Sequence, residues 1–256
     1  MKEHVLGTDY DQIDASENRE RFYSLLDSVG IKHPEGTTVT GPEKALEIAE
    51  VYGYPVLVRP SYVIGGMGMK IVETKETLAS YVQELLDLGN DDVLVDNYLN
   101  GKEIEVDAIC NGSEVLIPGI MEHLERAGVH SGDSISIYPP PALNATVKQR
   151  IFEITKKMSE IFEVKGLMNI QLIIQNDEIY IIEVNLRASR TVPFLSKITG
   201  VPMIKLSTGV MLGETIAEQG YEAGLYPEKS LFAVKLPVFS NDKLVGIDIA
   251  LGPNMK

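Results

Sequence analysis

The chain has 256 residues, a formal net charge of −14, 44% hydrophobic and 23% charged residues, and one cysteine. That length holds one large domain or two small lobes with a real core, and the composition is that of a soluble globular protein. The negative field repels a phosphate backbone and no Lys/Arg cluster opposes it, which excludes a nucleic-acid partner but not a nucleotide, for which a few pocket arginines suffice. Cys110 stands alone in an apolar run, so it reads as an inert core thiol without disulfide or cysteine-zinc chemistry. No apolar run reaches ~18 residues and Met1–Tyr10 lacks a signal-peptide layout, so a cytoplasmic chain with no membrane partner is expected.

In chain order, Ser16 is positioned to cap a helix running to about Val29, with Gly30 as its stop. Gly41-Pro42 opens a second helix, Glu43 to Tyr52, ended by Gly53. Pro55 to Pro60 has a buried-strand pattern, Ser61 to Met69 is a glycine-rich loop, and Met69 to Glu73 is the returning strand. Thr74 caps a helix to about Leu88, and Val93 to Leu99 is again a strand. Glu103 to Cys110 and Glu114 to Ile120 flank Asn111-Gly112 as a hairpin. Met121 to Pro141 is irregular, with a proline run at 139–141, and Asn144 to Phe162 is an amphipathic helix. A second hairpin pairs Met168–Gln175 with Glu178–Val184; helices at about Pro202 to Met211 and Thr215 to Gln219 and a late strand, Leu231 to Phe239, complete the pattern. The stop at Gly252 to Lys256 without a terminal element reads as the end of an excised piece.

The second hairpin is the most informative stretch. With Asn176-Asp177-Glu178 as a three-residue turn, alternation sets Gln171 opposite Glu183 and puts Asn169 and Asn185 on the same face. Leu172, Ile174, Tyr180 and Ile182 then point the other way. Four oxygen-bearing side chains on one side of an apolar hairpin suit Mg²⁺, which takes hard oxygens together with substrate phosphates. A solvent-facing polar surface gives the same alternation, and a two-residue turn breaks the alignment. Arg187 and Arg190 follow at once. They suit a phosphoryl group or ordinary surface charge. The loop between the strands at 55–60 and 69–73 has neither a Walker A nor a Gly-x-Gly-x-x-Gly pattern; its glycines fit a phosphate cradle or a mobile surface loop. Arg59, inside an apolar strand, requires an anionic partner. His130, in the glycine-flanked loop Gly128 to Ser134, is a possible base or phosphate contact, whereas His4, His33 and His123 show no ligand spacing.

Several segments together resemble one half of the large subunit of carbamoyl-phosphate synthetase, an ATP-grasp family. They are Val58-Arg59-Pro60-Ser61-Tyr62-Val63-Ile64-Gly65-Gly66, Gly128-Val129-His130-Ser131-Gly132-Asp133-Ser134, Glu183-Val184-Asn185-Leu186-Arg187, and Asn18 to Phe22. Gly166 to Gln171, and Ile120-Met121-Glu122-His123 running into Gly128, are more similar to the second, carbamate-phosphorylating half. The resemblance implies an α+β (α/β) ATP-grasp fold whose two lobes hold the nucleotide between them. It also implies a helical lead-in over 1–30, a small lobe with the glycine-rich loop over 31–97, and a larger sheet lobe with the metal and substrate site over 98–256. By the same resemblance Arg19 and Arg59 contact ATP phosphates or their neighbourhood, and Gly65 and Gly66 lie in the phosphate loop. Leu99 and Glu103 face the adenosine, and Gly128, Val129, His130 and Ser131 line the nucleotide pocket. Gln171, Glu183 and Asn185 hold Mg²⁺ (or Mn²⁺), with Gln171 and Glu183 also at the ATP, and Arg187 and Arg190 grip the carbamate or the transferred phosphoryl group. The expected substrates are ATP and carbamate; the alternatives are bicarbonate in the other half-reaction, another ATP-grasp carboxylate-amine ligase, or a nucleotide-binding module inactive in isolation. The implied partners are a glutaminase small subunit and the remaining large-subunit domains. Leu186 departs from the family's usual proline beside Asn185.

Overall fold

The computed structural model describes residues 6–60, 69–127, 129 and 134–237, and the chain divides into two compact units. The first comprises Met1–His33, Gly101–Leu124 and Ile135–Leu236; the second is built on Pro34–Asn100 with Glu125–Ser134.

The lead-in holds two helices, α1 (Tyr10–Glu17) and α2 (Arg19–Ser28), where the sequence pattern suggests one starting at Ser16. Asp9 caps α1, while Ser16 lies inside it and donates to Ile13 O. Asn18 breaks the run: its backbone is extended and its side-chain oxygen accepts the Arg21 amide at 3.1 Å, which starts α2.

In the second unit, β1 (Gly36–Val39), α3 (Pro42–Tyr52), β2 (Val56–Pro60), β3 (Lys70–Val72), α4 (Lys75–Asp87) and β4 (Val93–Asn97) follow in order. The antiparallel sheet is ordered β1-β4-β2-β3. Helix α3 starts and stops as read, with proline in its first turn and Gly53 at φ +79 as its C-cap. Thr74 caps α4 through the Thr77 amide. Strand β1 was not legible, because Gly36-Thr-Thr-Val39 is too short and polar to carry a period-two signal. Its glycine is required by contact: a Cβ on Gly36 would meet Asp96 Oδ1 at 2.0 Å.

The first unit continues with β5 (Lys102–Asn111), β6 (Val115–His123), β7 (Ser136–Tyr138), α5 (Ala145–Ile161), β8 (Lys165–Gln175) and β9 (Glu178–Asn185). Then come α6 (Val192–Thr199), α7 (Met203–Met211), β10 (Gly224–Leu225) and β11 (Ala233–Lys235). The sheet order is β11-β7-β6-β5-β8-β9, with β10 beside β6. The turn after β5 is Gly112-Ser113, one residue later than expected, because Asn111 itself pairs with Glu114 and its side-chain oxygen accepts the Ser113 and Glu114 amides. The stretch 121–141 is more regular than expected, since it contains the end of β6 and all of β7. Residues 215–219 form turns, not a helix, and β11 is shorter than the expected late strand, whose end lies outside the described residues.

One face of this sheet is apolar: Ile104, Val106, Ala108 and Cys110 of β5, with Met168, Ile170 and Leu172 of β8, pack with Phe22 and Leu26 of α2 and Ile151 and Met158 of α5. Burial pushes the Cys110 thiol up to about 12, as an inert core thiol requires. The opposite face is covered at one end by α6 and α7, where Ile109, Leu116 and Leu167 meet Leu195, Met203 and Leu206. The rest of that face carries mostly polar side chains. Among the described residues no helix is long and apolar enough to cross a membrane.

Candidate active site

Three strands contribute aligned rows to the polar face. Cross-strand pairing sets Glu105 beside Gln171 and Gln171 beside Glu183; the next row is Asp107, Asn169 and Asn185. The expected alignment of Gln171 with Glu183 is present, but it arises differently. The turn is the two-residue Asn176-Asp177, both residues left-handed at φ +52 and +62, with Gln175 opposite Glu178. Such a turn alone puts Gln171 out of register with Glu183. A β-bulge restores it: Leu172 pairs with Ile181 and Gln171 with Glu183, leaving Ile182 as the extra residue. One expectation is corrected as a result. Tyr180 pairs with Ile173 and so shares the Gln171 side of the sheet, while Ile179 and Ile181 enter the core.

Glu183 is exposed, and neither its carboxylate nor the Gln171 amide has a hydrogen-bond or ion-pair partner among the described residues. Asn185 Oδ1 accepts from Arg187 Nη2 at 3.1 Å, which leaves the oxygen a second lone pair. This set of one carboxylate and two amide oxygens fits Mg²⁺, which prefers few protein ligands completed by water and phosphate. Among the described residues no group of three or more His, Cys, Asp or Glu side chains is placed to form an all-protein metal cage.

Beside the open row lies a buried acidic cluster of which the sequence reading named Glu103 alone. Glu103, Glu105 and Asp107 alternate with apolar residues on β5 and are each at most 2% exposed. Their i, i+2, i+4 spacing in an otherwise apolar strand was the available signal; the contribution of His123 from β6 had none. His123, 1% exposed, lies between two carboxylates: Nε2 is 3.1 Å from Glu105 Oε2, and Nδ1 is 3.2 Å from Glu103 Oε1, at an angle that makes this an ion-pair contact. Asn169 Nδ2 donates to Glu105 Oε1 at 3.0 Å and to Asp107 Oδ1 at 3.1 Å. Burial opposes charge on His123, but Glu103 and Glu105 outweigh it and raise its pKa to about 9. Burial opposes ionisation of Glu105 too, yet the His123 and Asn169 contacts leave its carboxyl below the usual range. Asp107, buried and beside the Glu105 charge, is raised to about 7 despite its hydrogen bonds.

These shifts set a pH dependence. The folded state holds the His123 proton up to about pH 9, whereas an ordinary histidine releases it near 6.5. The stabilisation is therefore complete below about pH 6.5 and is lost as pH rises to about 9. The expected loss in equilibrium urea unfolding is roughly 3 kcal/mol, and His123→Gln removes this slope. Wild-type stability that is flat across the same window contradicts the charged clamp.

Residues 18–219 match the family model described as "Carbamoyl-phosphate synthase L chain, ATP binding domain". The chain belongs to this family. Solved structures share its fold at low identity. The biotin carboxylase of Campylobacter jejuni, in a complex with β,γ-ATP, superposes with a TM-score of 0.71 at 19% identity, over 85% of this chain and 51% of its own. The N5-carboxyaminoimidazole synthase of Aspergillus clavatus, with ADP and 5-aminoimidazole ribonucleotide, gives 0.70 at 17% identity, over 85% and 57%. The biotin carboxylase domain of the 2-oxoglutarate carboxylase of Hydrogenobacter thermophilus, with MgADP, ADP and bicarbonate, gives 0.67 at 23% identity, over 82% and 48%. The chain thus spans about half the length of these proteins, and its fold is ATP-grasp.

Within this ATP-grasp chain the sequence-designated residues fall in both units. The first unit holds Arg19, Glu103, Gln171, Glu183, Asn185, Arg187 and Arg190. Of these, Glu103, Gln171, Glu183 and Asn185 share the polar sheet face, and Arg187 joins them through Asn185. Arg190 is exposed on the segment after β9. Arg19 begins α2 and donates to Tyr23 Oη at 2.7 Å, its guanidinium over that ring. The second unit holds Arg59, Leu99 and Val129. Arg59 finds the expected anionic partner in Asp96, with Nη2 to Oδ2 at 2.5 Å; its buried Nε lacks a hydrogen-bond partner among the described residues. Leu99 is buried. Gly65, Gly66, Gly128, His130 and Ser131 lie outside the described residues.

Proposed function

We propose that this chain is an ATP-dependent ligase domain that phosphorylates a small carboxylate, and that the carboxylate is carbamate. The observation that carries the reading is the open Gln171–Glu183 pair, with Asn185 tied to Arg187 beside it. Gln171, Glu183 and Asn185 would hold Mg²⁺ or Mn²⁺, which draws charge off the β- and γ-phosphates. A carbamate oxygen attacks the γ-phosphorus, the bond to the ADP oxygen breaks, and ADP leaves with the electron pair. Arg187 and Arg190 meet the negative charge on the equatorial oxygens and orient the carboxylate. The protein positions and neutralises; no covalent intermediate on a side chain is needed.

Carbamate is favoured by the segments at 120–123 and 166–171, which resemble the second half of the synthetase large subunit. The fold shared with a carboxylase domain solved with bicarbonate supports a second reading, phosphorylation of bicarbonate. ADP release from Mg-ATP, measured with carbamate, with bicarbonate and with neither, separates the two. Carbamate is expected to stimulate it most. Arg187→Ala is expected to lower the stimulated rate by roughly 10²-fold, the scale of losing one electrostatic stabiliser. A rate indifferent to both anions overturns the ligase reading. A glutaminase subunit and further large-subunit domains are the proposed partners in the whole enzyme.

A further inference from the structure

Residues 186–191, which carry both arginines, form neither helix nor strand, so side chains set their path. Arg187 and Arg190 are exposed, whereas Thr191 is 1% exposed. Ser189 Oγ donates to Asp107 Oδ2 at 2.8 Å. Thr191 Oγ1 donates to the same oxygen, lies 3.1 Å from Glu105 Oε1 and 2.6 Å from Ser189 Oγ. The Thr191 amide closes the loop on Ser189 Oγ at 3.1 Å. Thr191 is also the residue at the head of α6, where a threonine hydroxyl ordinarily accepts an amide of the first turn. Here it makes no such cap; its backbone is already helical, at φ −87 and ψ −16, and the hydroxyl is directed to the acids of β5. A helix cap has thus been exchanged for hydrogen bonds to buried carboxyl groups.

The geometry points to a positioning device: Asp107, through Ser189 and Thr191, fastens the arginine segment to the sheet face that bears Gln171 and Glu183. Asp107 occupies the same cross-strand row as Asn169 and Asn185, so the anchor and the open ligand pair are fixed to adjacent rungs of one ladder. Two hydroxyls converge on one buried carboxyl oxygen, and a segment without backbone ladder bonds depends on such contacts. Ser189, Thr191 and Asp107 act through Arg187 and Arg190 and touch no substrate. The functional part of this inference rests on the ligase reading; the anchor itself does not.

The test uses the full chain as wild type, Thr191→Val, Thr191→Ser, Ser189→Ala and Arg187→Ala. Trypsin cleavage of the Arg187–Ala188 bond, followed by mass spectrometry, reports the freedom of the segment without reference to activity. Thr191→Val is expected to speed that cleavage by roughly ten-fold or more relative to other tryptic sites, and Thr191→Ser to restore it. With Mg-ATP and carbamate, kcat falls about ten-fold in Thr191→Val, while KM for ATP changes less than about two-fold. Ser189→Ala, which removes only one of the two hydroxyls, gives the same changes in smaller measure and serves if Thr191→Val does not fold. Cleavage unchanged in both variants, or accelerated equally at all tryptic sites, overturns the anchor. Cleavage accelerated at Arg187 while Arg187→Ala keeps full turnover leaves the anchor standing and removes the ligase role of the arginine.

Discussion

Glu183→Ala lowers phosphoryl-transfer turnover by at least ~10²-fold, with little change in melting temperature. The two halves of this expectation have separate causes. Glu183 is exposed and has no hydrogen-bond or ion-pair partner among the described residues, so truncating it removes no structural contact, and an exposed substitution of that kind stays within about 0.5 kcal/mol. It is also the only carboxylate among the three proposed metal ligands, and the amides of Gln171 and Asn185 cannot supply its charge. Glu183→Gln keeps the shape, removes the charge, and falls between. Turnover and a melting curve measured on the same preparation check both halves; full turnover in Glu183→Ala removes the metal role.

His123→Ala acts in the opposite way, on stability first. It removes the imidazolium that lies between Glu103 and Glu105, both at 1–2% exposure. Breaking a buried pair by removing one partner destabilises by about 3–5 kcal/mol, because the buried carboxylates lose the charge and hydrogen bond that His123 supplies. The carboxyls respond by binding protons, so the deficit shrinks as pH falls toward the carboxylate range. Urea unfolding at pH 7 and pH 5 measures both effects. A loss below about 1 kcal/mol at pH 7 contradicts the assignment of His123 as a charged clamp.

The difference between the two variants follows from what the sequence made legible. Period-two alternation over 169–185 exposed the open row, because all its members lie on one hairpin and local spacing fixes their faces. The way the row is aligned was not legible. Asn176-Asp177 and Asn176-Asp177-Glu178 are equally plausible turns, and the bulge at Ile182 carries no glycine or other marker. The buried cluster was hidden for a different reason: Glu105 meets His123, Asn169 and Thr191 across separations of 18, 64 and 86 residues. No local pattern records such contacts. Thr191 was hidden further by its place at the head of α6, a helix the pattern did not reveal because Thr191-Val-Pro-Phe-Leu reads as extended. Caps and stops fared better where one residue decides the geometry, as with Thr74 and Gly53, and worse at Asn18, whose side chain ends one helix and starts another.

The central claim, an ATP-grasp domain that transfers phosphate through the Gln171, Glu183 and Asn185 row, is tested most directly in the reverse direction. The protein is incubated with Mg-ADP and carbamoyl phosphate, and ATP is measured for wild type and Glu183→Ala. ATP formed by the wild type and lost in the variant is the predicted result; ATP formed equally by both, or by neither although Mg-ADP binds, contradicts the claim.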